Sequence, residues 1–302
     1  GRVIAHDYLA FDGLVGAGVI DCIWGCGWRR PTVENLMNAQ HGIDRSPNEI
    51  PLPESGVIAC FMMAWPEVSA RLGAEGAGGR YIVVVRDSDP SLKARSWPSS
   101  VKHLFATNVP FDDPQVTPMP WGLYIPSDVT HLEAALAIPR SRSNRVLVSY
   151  SLDMPGSVYH PDHERITAIE TFRQTPFATI HPALLGWASR SGFIQSPWPY
   201  PEWLALLRAH DFTAVPIGYG VERMAYWEAI VLGTVPICIR HPEMMHFADM
   251  PRAFGDSWAE VTEAWCDAQR EPALARSRDL EKKRFWFWSQ VYRVVILFTI
   301  YL

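Results

Sequence analysis

The sequence predicts an α/β fold made of two successive units, and three observations carry that prediction. Short apolar, β-branched runs recur along the chain between turn residues, helix-length segments alternate with them, and a polar, Pro-containing break near residue 140 separates one such series from the next. Continuous apolar runs of this kind suit strands buried on both faces of a parallel sheet, and their alternation with helices is the pattern of βαβ units.

The elements follow in order. Residues 1–50 carry Gly-rich and Trp-rich stretches such as WGCGW with no sustained period, so irregular structure is expected there. Residues 56–63 (GVIACFMM) and 81–85 (YIVVV) read as buried strands, the second ending at an Arg-Asp-Ser-Asp-Pro turn. Residues 101–105 and 116–119 read as shorter strands, and 128–137 as a short helix with Asp128 near its N-terminus. The segment 138–144 (IPRSRSN) has the composition of a linker. Beyond it come a strand at 145–150, a helix at 163–174, a strand at 177–180 and a helix at 201–210, with Pro201 suited to the first turn. A strand at 212–216, a helix at 222–232 and a strand at 235–239 precede two terminal helices, 258–269 and 273–287. The expected division is therefore 1–140 and 141–302.

Composition bounds the function. The chain has 302 residues, and at roughly 150 residues per domain it fits two domains or one large one. Its 13 Trp, 13 Phe and 10 Tyr exclude intrinsic disorder. Its 27 basic and 32 acidic residues give a net charge of -5, so no overall field favours nucleic acid, and no such partner is expected. Five Cys do not make a disulfide scaffold, and Cys22 with Cys26 lacks a second pair or a His tract to complete a zinc site. No segment reaches the roughly 20 apolar residues that span a bilayer. The longest candidate, 294–302 (VVILFTIYL), follows Trp286, Trp288 and Tyr292 at helical spacing and reads as a buried terminal segment. The chain opens on Gly1, compatible with a removed leader or tag, so no compartment is assigned.

The most informative stretch is 212–240, FTAVPIGYGVERMAYWEAIVLGTVPICIR: strand, glycine turn, helix, Gly stop, strand. Gly218 and Gly220 flank Tyr219 and allow positive φ or close backbone approach just before a helix N-terminus. Such a terminus is a seat for a phosphate or a sugar hydroxyl, although any crossover can need such glycines. Glu222 and Glu228, six apart on the expected helix, do not share a face and so form no simple acid/base pair.

This run resembles the C-terminal signature of exostosin-like, GT-B-type glycosyltransferases, approximately P-R-G-x-G-x-D-x-x-R-x-W-E-A-L-x-x-G-x-I-P-I-V. The match rests on Pro216, Gly218, Gly220, Trp227, Glu228, Ala229, Gly233, Pro236 and Ile237. Residues 101–122 are similar to a further family segment through Phe105, Ala106, Asn108, Pro120 and Gly122. YIVVVRDSD resembles the strand and Ser-Asp upstream, Glu164-Arg165 falls where relatives carry an Arg, and FADMPRAFGDSW resembles "ysdLPvlivddW". The resemblance covers residues 56–265. It departs at Ile217 and Ala225, where the family carries arginines, and Arg223 lies two residues from the second of these, on another face of the expected helix.

The resemblance implies two Rossmann-like domains facing a cleft, the first on the acceptor side and the second on the nucleotide-sugar side. It implies transfer of a sugar from a UDP- or GDP-sugar to a glycan or glycoconjugate, with inversion and without a metal or other cofactor. It puts Glu228 on the donor ribose, the turn Gly218-Tyr219-Gly220 with Glu222 and Arg223 at the donor, and Arg165 at the diphosphate. Asp89 or Asp87 is then the base for the acceptor hydroxyl. Two alternatives stand beside this. Asp87-Ser88-Asp89 is also the metal-binding pattern of GT-A glycosyltransferases, as well as ordinary turn chemistry. With two family arginines replaced, the chain could also be a degenerate transferase fold that binds a glycan or a protein.

The remaining histidines and aromatics have bland readings. His160, Asp162 and His163 match capping and first-turn chemistry. His241 and His246 fall either near the donor or, as is usual for His next to Pro in a loop, in solvent, and Trp198 to Pro201 form a packed loop or a sugar-stacking platform. Neither a nucleophile elbow nor a P-loop is present.

Overall fold

The computed structural model describes residues 22–24, 28–29, 52, 54–61, 65–74, 78–86, 92, 96–119, 126–140, 145–150, 161–181, 200–218 and 220–277. They form two mostly parallel sheets with helices, as the α/β reading requires. In the first sheet the order is β2-β1-β3-β4-β5-β6, comprising β1 (Cys22–Trp24), β2 (Trp28–Arg29), β3 (Gly56–Phe61), β4 (Tyr81–Arg86), β5 (Val101–Ala106) and β6 (Val116–Pro118). All neighbours are parallel except the edge pair β1 and β2. The expectation of irregular structure across 1–50 is thus corrected at β1 and β2. Cys22, Ile23 and Trp24 are too short a run to show a period, and they become a strand by pairing with Ile58, Ala59 and Cys60.

Helix α1 (Trp65–Ala74) was missed in the sequence, although Trp65, Val68 and Leu72 recur at helical spacing and are buried. They pack with Ile58, Cys60, Val83, Val85, Leu104 and Ala106. Tyr81, Ile82, Val83, Val84 and Val85 are all buried, so this strand is covered on both faces, as its unbroken apolar run implies.

The second sheet is fully parallel, in the order β11-β10-β9-β7-β8: β7 (Val146–Val148), β8 (Ala178–Ile180), β9 (Phe212–Ala214), β10 (Val235–Ile239) and β11 (Ala253–Gly255). Successive strand residues face opposite cores. Leu147 and Cys238 join one cluster, while Val146, Val148, Val235 and Ile237 join the other. Each fully buried Val, Leu or Ile among them contributes about 1.5–3 kcal/mol of transfer free energy.

Helix α2 (Pro126–Ala137) precedes the 138–144 segment, and the sequence groups it with the first unit. Packing groups it with the second: Leu132 and Ala135 sit in a core with Leu204, Leu207, Ala229 and Ile230 from α4 (Tyr200–Arg208) and α5 (Met224–Leu232). Arg140, just after α2, donates to the His210 carbonyl and to Asp211, fastening the expected linker to the second sheet. Between them in sequence lies α3 (Pro161–Arg173), whose Ala168, Ile169 and Phe172 cover the opposite face. The first of the two expected terminal helices is corrected, and of the second, 273–287, residues 278–287 lie outside the described residues. Residues 258–260 make a single 3₁₀ turn, and α7 (Glu263–Ser277) follows the short α6 (Pro242–Met245) and runs through Pro272 without a break. Buried Ala273 holds the helix past the proline, and Arg276 donates to the carbonyls of Pro272 and Ala248.

Cys60, Cys238 and Cys266 are buried free thiols, and burial pushes those of Cys238 and Cys266 up to about 12. Among the described residues no helix is long and apolar enough to cross a membrane. The terminal segment 294–302, the 198–199 part of the Trp-Pro-Tyr-Pro stretch, Cys26 and His160 lie outside the described residues, as do the side chains of Asp162 and His163.

Candidate functional site

In an open parallel α/β sheet, ligands bind outside the carboxyl ends of the strands where the strand order reverses. In the second sheet that reversal lies between β7 and β9: the chain leaves β7 for β8 on one side and returns to β9 on the other. Tyr150 follows β7, α3 carries Glu164 and Arg165, and the glycine turn 216–220 follows β9. Three segments therefore converge beyond the carboxyl ends of β7 and β9.

Side chains pin the backbone of that turn from both sides. Arg165 Nε donates to the Ile217 carbonyl at 2.8 Å, and Arg223 Nη1 donates to the Pro216 carbonyl at 3.1 Å. The Ile217 N–H is accepted by Glu164 Oε1 at 3.2 Å, and the Gly218 N–H by the Gly220 carbonyl at 3.0 Å. Gly218 is buried and does not have a positive φ, so close approach is its role. A Cβ there would lie 3.0 Å from Arg165 Nη2 and 3.0 Å from both Cδ and Nε of Arg223. Two guanidinium groups thus crowd the one position a Gly218 side chain would take.

Arg165 is 1% exposed, packs over the Tyr150 ring and has its own carbonyl bonded by the Tyr150 hydroxyl at 3.2 Å. Burial lowers the Arg223 guanidinium from its ordinary value, with Tyr226, Glu228, Tyr150 and Glu164 opposing the shift. Burial likewise raises the Tyr150 hydroxyl, and Arg165 and Arg223 pull it back. His241, expected to face solvent, is partly buried and approaches Glu164 Oε2 at 3.6 Å.

The helix expected over 222–232 begins at Met224, with Arg223 as its N-cap in extended conformation. That conformation sends the Arg223 side chain back to the turn, so the two-residue offset from the family position does not carry it to another face. At the far end Gly233 adopts φ 75° and closes α5, as the Gly stop predicts.

Glu222 lies ahead of the helix rather than on it. It is 2% exposed and bonds Arg252 at 3.1 Å, an arginine that is fully buried over the rings of Tyr226, Trp227 and Phe247. The donor-side placement expected for Glu222 is corrected: its carboxylate neutralises Arg252. Glu228 is also buried; Oε1 accepts from the Tyr200 hydroxyl at 3.0 Å and Oε2 from Trp203 Nε1 at 2.7 Å. These bonds tie α5 to α4, while the charge still acts on Arg223.

The first sheet meets this region at the end of β5. Asn108 Oδ1 accepts the Glu222 N–H at 3.0 Å, and the Val109 carbonyl accepts from His246 Nε2 at 2.9 Å. His246 Nδ1 lies 3.7 Å from Asp112, and His246 shares with Phe111, Asp112, Asp113 and Pro114 a pocket of about 320 Å³. His246 was expected in solvent; its side chain is 17% exposed.

Asp87, Asp89 and Tyr219 lie outside the described residues. Among the described residues no group of three or more His, Cys, Asp or Glu is placed to hold a metal ion. Sequence reasoning gave no role to Tyr150 and Trp203, and met Tyr200 and Arg252 only inside the Trp198 to Pro201 and FADMPRAFGDSW stretches. Pairing in space identifies the contacts of all four. No protein-family model matches the chain, and no curated protein matches it either.

Proposed function

We propose that the chain is a glycosyltransferase of GT-B type that moves a sugar from a nucleotide-sugar, a UDP- or GDP-sugar, to a glycan or glycoconjugate acceptor with inversion. The observation that carries the reading is the convergence of Arg165 and Arg223 on Gly218 at the switch point of the second sheet. A diphosphate is the ligand chemistry that two guanidinium groups, a bare glycine and a helix N-terminus suit together.

In that reading the acceptor hydroxyl oxygen attacks the anomeric carbon, and the bond from that carbon to the diphosphate oxygen breaks. The charge gained by the leaving diphosphate falls on Arg165 and Arg223, held in place before the reaction. Preorganised donors of this sort are worth about 10²–10³ in rate each. The hydroxyl proton passes to Asp89 or Asp87. The acceptor side is supported by the pocket around Phe111, Asp112 and Asp113, which offers a ring face and carboxylates to a hydroxyl-rich ligand. Glu228 contributes through its charge beside Arg223 and through the α4–α5 bonds that hold the helix.

The test is a thermal-shift and hydrolysis screen against UDP-, GDP- and CMP-sugars, with Mn²⁺ and with EDTA, on wild type, Arg165→Gln and Arg223→Gln. The expected result is stabilisation that survives EDTA and disappears in both variants. A response that needs Mn²⁺ and is lost in Asp87→Asn or Asp89→Asn would move the donor to the first unit. Silence toward every nucleotide would end the transferase reading and leave a binding module.

A further inference from the structure

Asn108 is the one described non-glycine residue with a positive φ, 50°, and it is 3% exposed. Asn tolerates the left-handed region better than most side chains, yet such a conformation is kept only where the surroundings enforce it. Here they do. The Asn108 carbonyl accepts the Leu92 N–H at 3.1 Å, which fixes the backbone just beyond the carboxyl end of β5. The side chain then reaches a residue 114 positions away: Oδ1 accepts the Glu222 N–H at 3.0 Å.

Glu222 directly precedes Arg223, the extended N-cap whose guanidinium returns to Pro216 and Gly218. The Glu222 carboxylate is anchored separately, on Arg252. Its peptide is therefore held at two points, by Arg252 through the side chain and by Asn108 through the N–H. From that peptide the chain both starts α5 and throws the Arg223 arm back across the turn.

We infer that Asn108 is a positioning residue for the donor turn: a first-sheet side chain that fixes the Glu222 peptide and thereby aims Arg223 at the diphosphate. The role in the reaction rests on the transferase reading above; the contact itself does not. Because the bond joins the two sheets, drawing them apart would release the Glu222 N–H and loosen Arg223, so approach of the two units and diphosphate binding are linked. The neighbouring bond from His246 to the Val109 carbonyl closes the same seam.

The experiment uses the full chain and two variants. Asn108→Gly keeps the positive φ without steric cost and removes the acceptor, whereas Asn108→Asp keeps both an acceptor and a side chain at home in that region. Hydrogen exchange of the Glu222 amide is read first, by nuclear magnetic resonance. Loss of one neutral hydrogen bond predicts about fivefold to tenfold faster exchange in Asn108→Gly and recovery toward wild type in Asn108→Asp. Unchanged exchange in Asn108→Gly overturns the inference, and so does equal acceleration in both variants, which would mean packing rather than the acceptor.

Affinity for UDP and GDP is read second, in a cycle of Asn108→Gly with Arg223→Gln. Asn108→Gly weakens binding about fivefold in the wild-type background and adds nothing once Arg223 is gone; equal losses in both backgrounds would show that Asn108 does not act through Arg223. If the wild type binds neither nucleotide, the donor reading fails, while amide exchange still decides whether Asn108 holds the Glu222 peptide.

Discussion

Arg165 Nη2 stands 3.0 Å from the point where a side chain on Gly218 would begin, and Arg223 stands equally close on the same glycine. The clearance is smaller than a methyl group requires. Gly218→Ala therefore displaces one or both guanidinium groups. The cost in stability is that of a small overpacking, about 1–3 kcal/mol, because flexible side chains rather than backbone must yield. In the proposed donor site the cost in ligand binding is greater, since the cations leave the positions from which they would hold a diphosphate. Thermal melts and UDP and GDP titrations on Gly218→Ala should show a folded protein whose nucleotide affinity falls at least tenfold. Unchanged affinity would place the anion elsewhere.

Glu228 tests how far a motif position can be trusted. Its two oxygens accept from the half-buried Tyr200 and Trp203, so Glu228→Ala takes this acceptor from a hydroxyl and an indole N–H. A loss of about 1–3 kcal/mol for each abandoned donor is expected. Glu228→Gln keeps one carbonyl oxygen and should recover part of that loss. Denaturant midpoints of the two variants check this. A ribose role has to be read in Glu228→Gln, because a fall in activity of Glu228→Ala follows from α5 shifting against α4 alone.

Why some of this was legible in the sequence and some was not has a physical reason. Strands such as Tyr81–Arg86 and Val235–Ile239 are written in their own residues, because burial on both faces demands an unbroken apolar run. The close of α5 at Gly233 is equally local, since only the left-handed cap is needed. Arg223 was harder: its separation from the family position suggested another helix face, but an extended N-cap is not on a helix face at all. Glu222 was misplaced for the same reason, and its partner Arg252 lies 30 residues on, at a distance no pattern spans. The short strand β1 exists only by pairing, and Trp203 shows its role only when α4 lies on α5. Local conformation is encoded locally; ion pairs and crossings are encoded by the whole fold.

The Glu222–Arg252 pair predicts an asymmetry. Both side chains are buried, at 2% and 0% exposure, and Arg252 lies among three aromatic rings. Removing only the carboxylate, in Glu222→Gln, leaves a buried cation and should cost about 3–5 kcal/mol. Replacing both, in Glu222→Leu with Arg252→Met, restores an apolar environment and should cost much less than the single change. Urea unfolding of the three proteins decides it. If the double variant is as unstable as Glu222→Gln, the pair holds the seam by geometry rather than by neutralising charge.

His103 gives a pH dependence with a definite sign. It lies on β5 with its Nε2 at 2.8 Å from the Thr117 hydroxyl on β6, and burial lowers its pKa from 6.5, opposed by Asp113. The unfolded chain therefore takes up a proton at higher pH than the folded chain does. The contribution of the neutral ring is present in full above about pH 6.5 and is lost as pH falls through that value toward the folded pKa. His210, lowered by burial as well, adds in the same direction. Urea midpoints should be higher at pH 7.5 than at pH 5.5. His103→Gln, which can still bond Thr117 and carries no titrating proton, should reduce that difference. A wild type more stable at the lower pH would show that groups other than these histidines govern its acid response, and an unchanged difference in His103→Gln would remove His103 from the account.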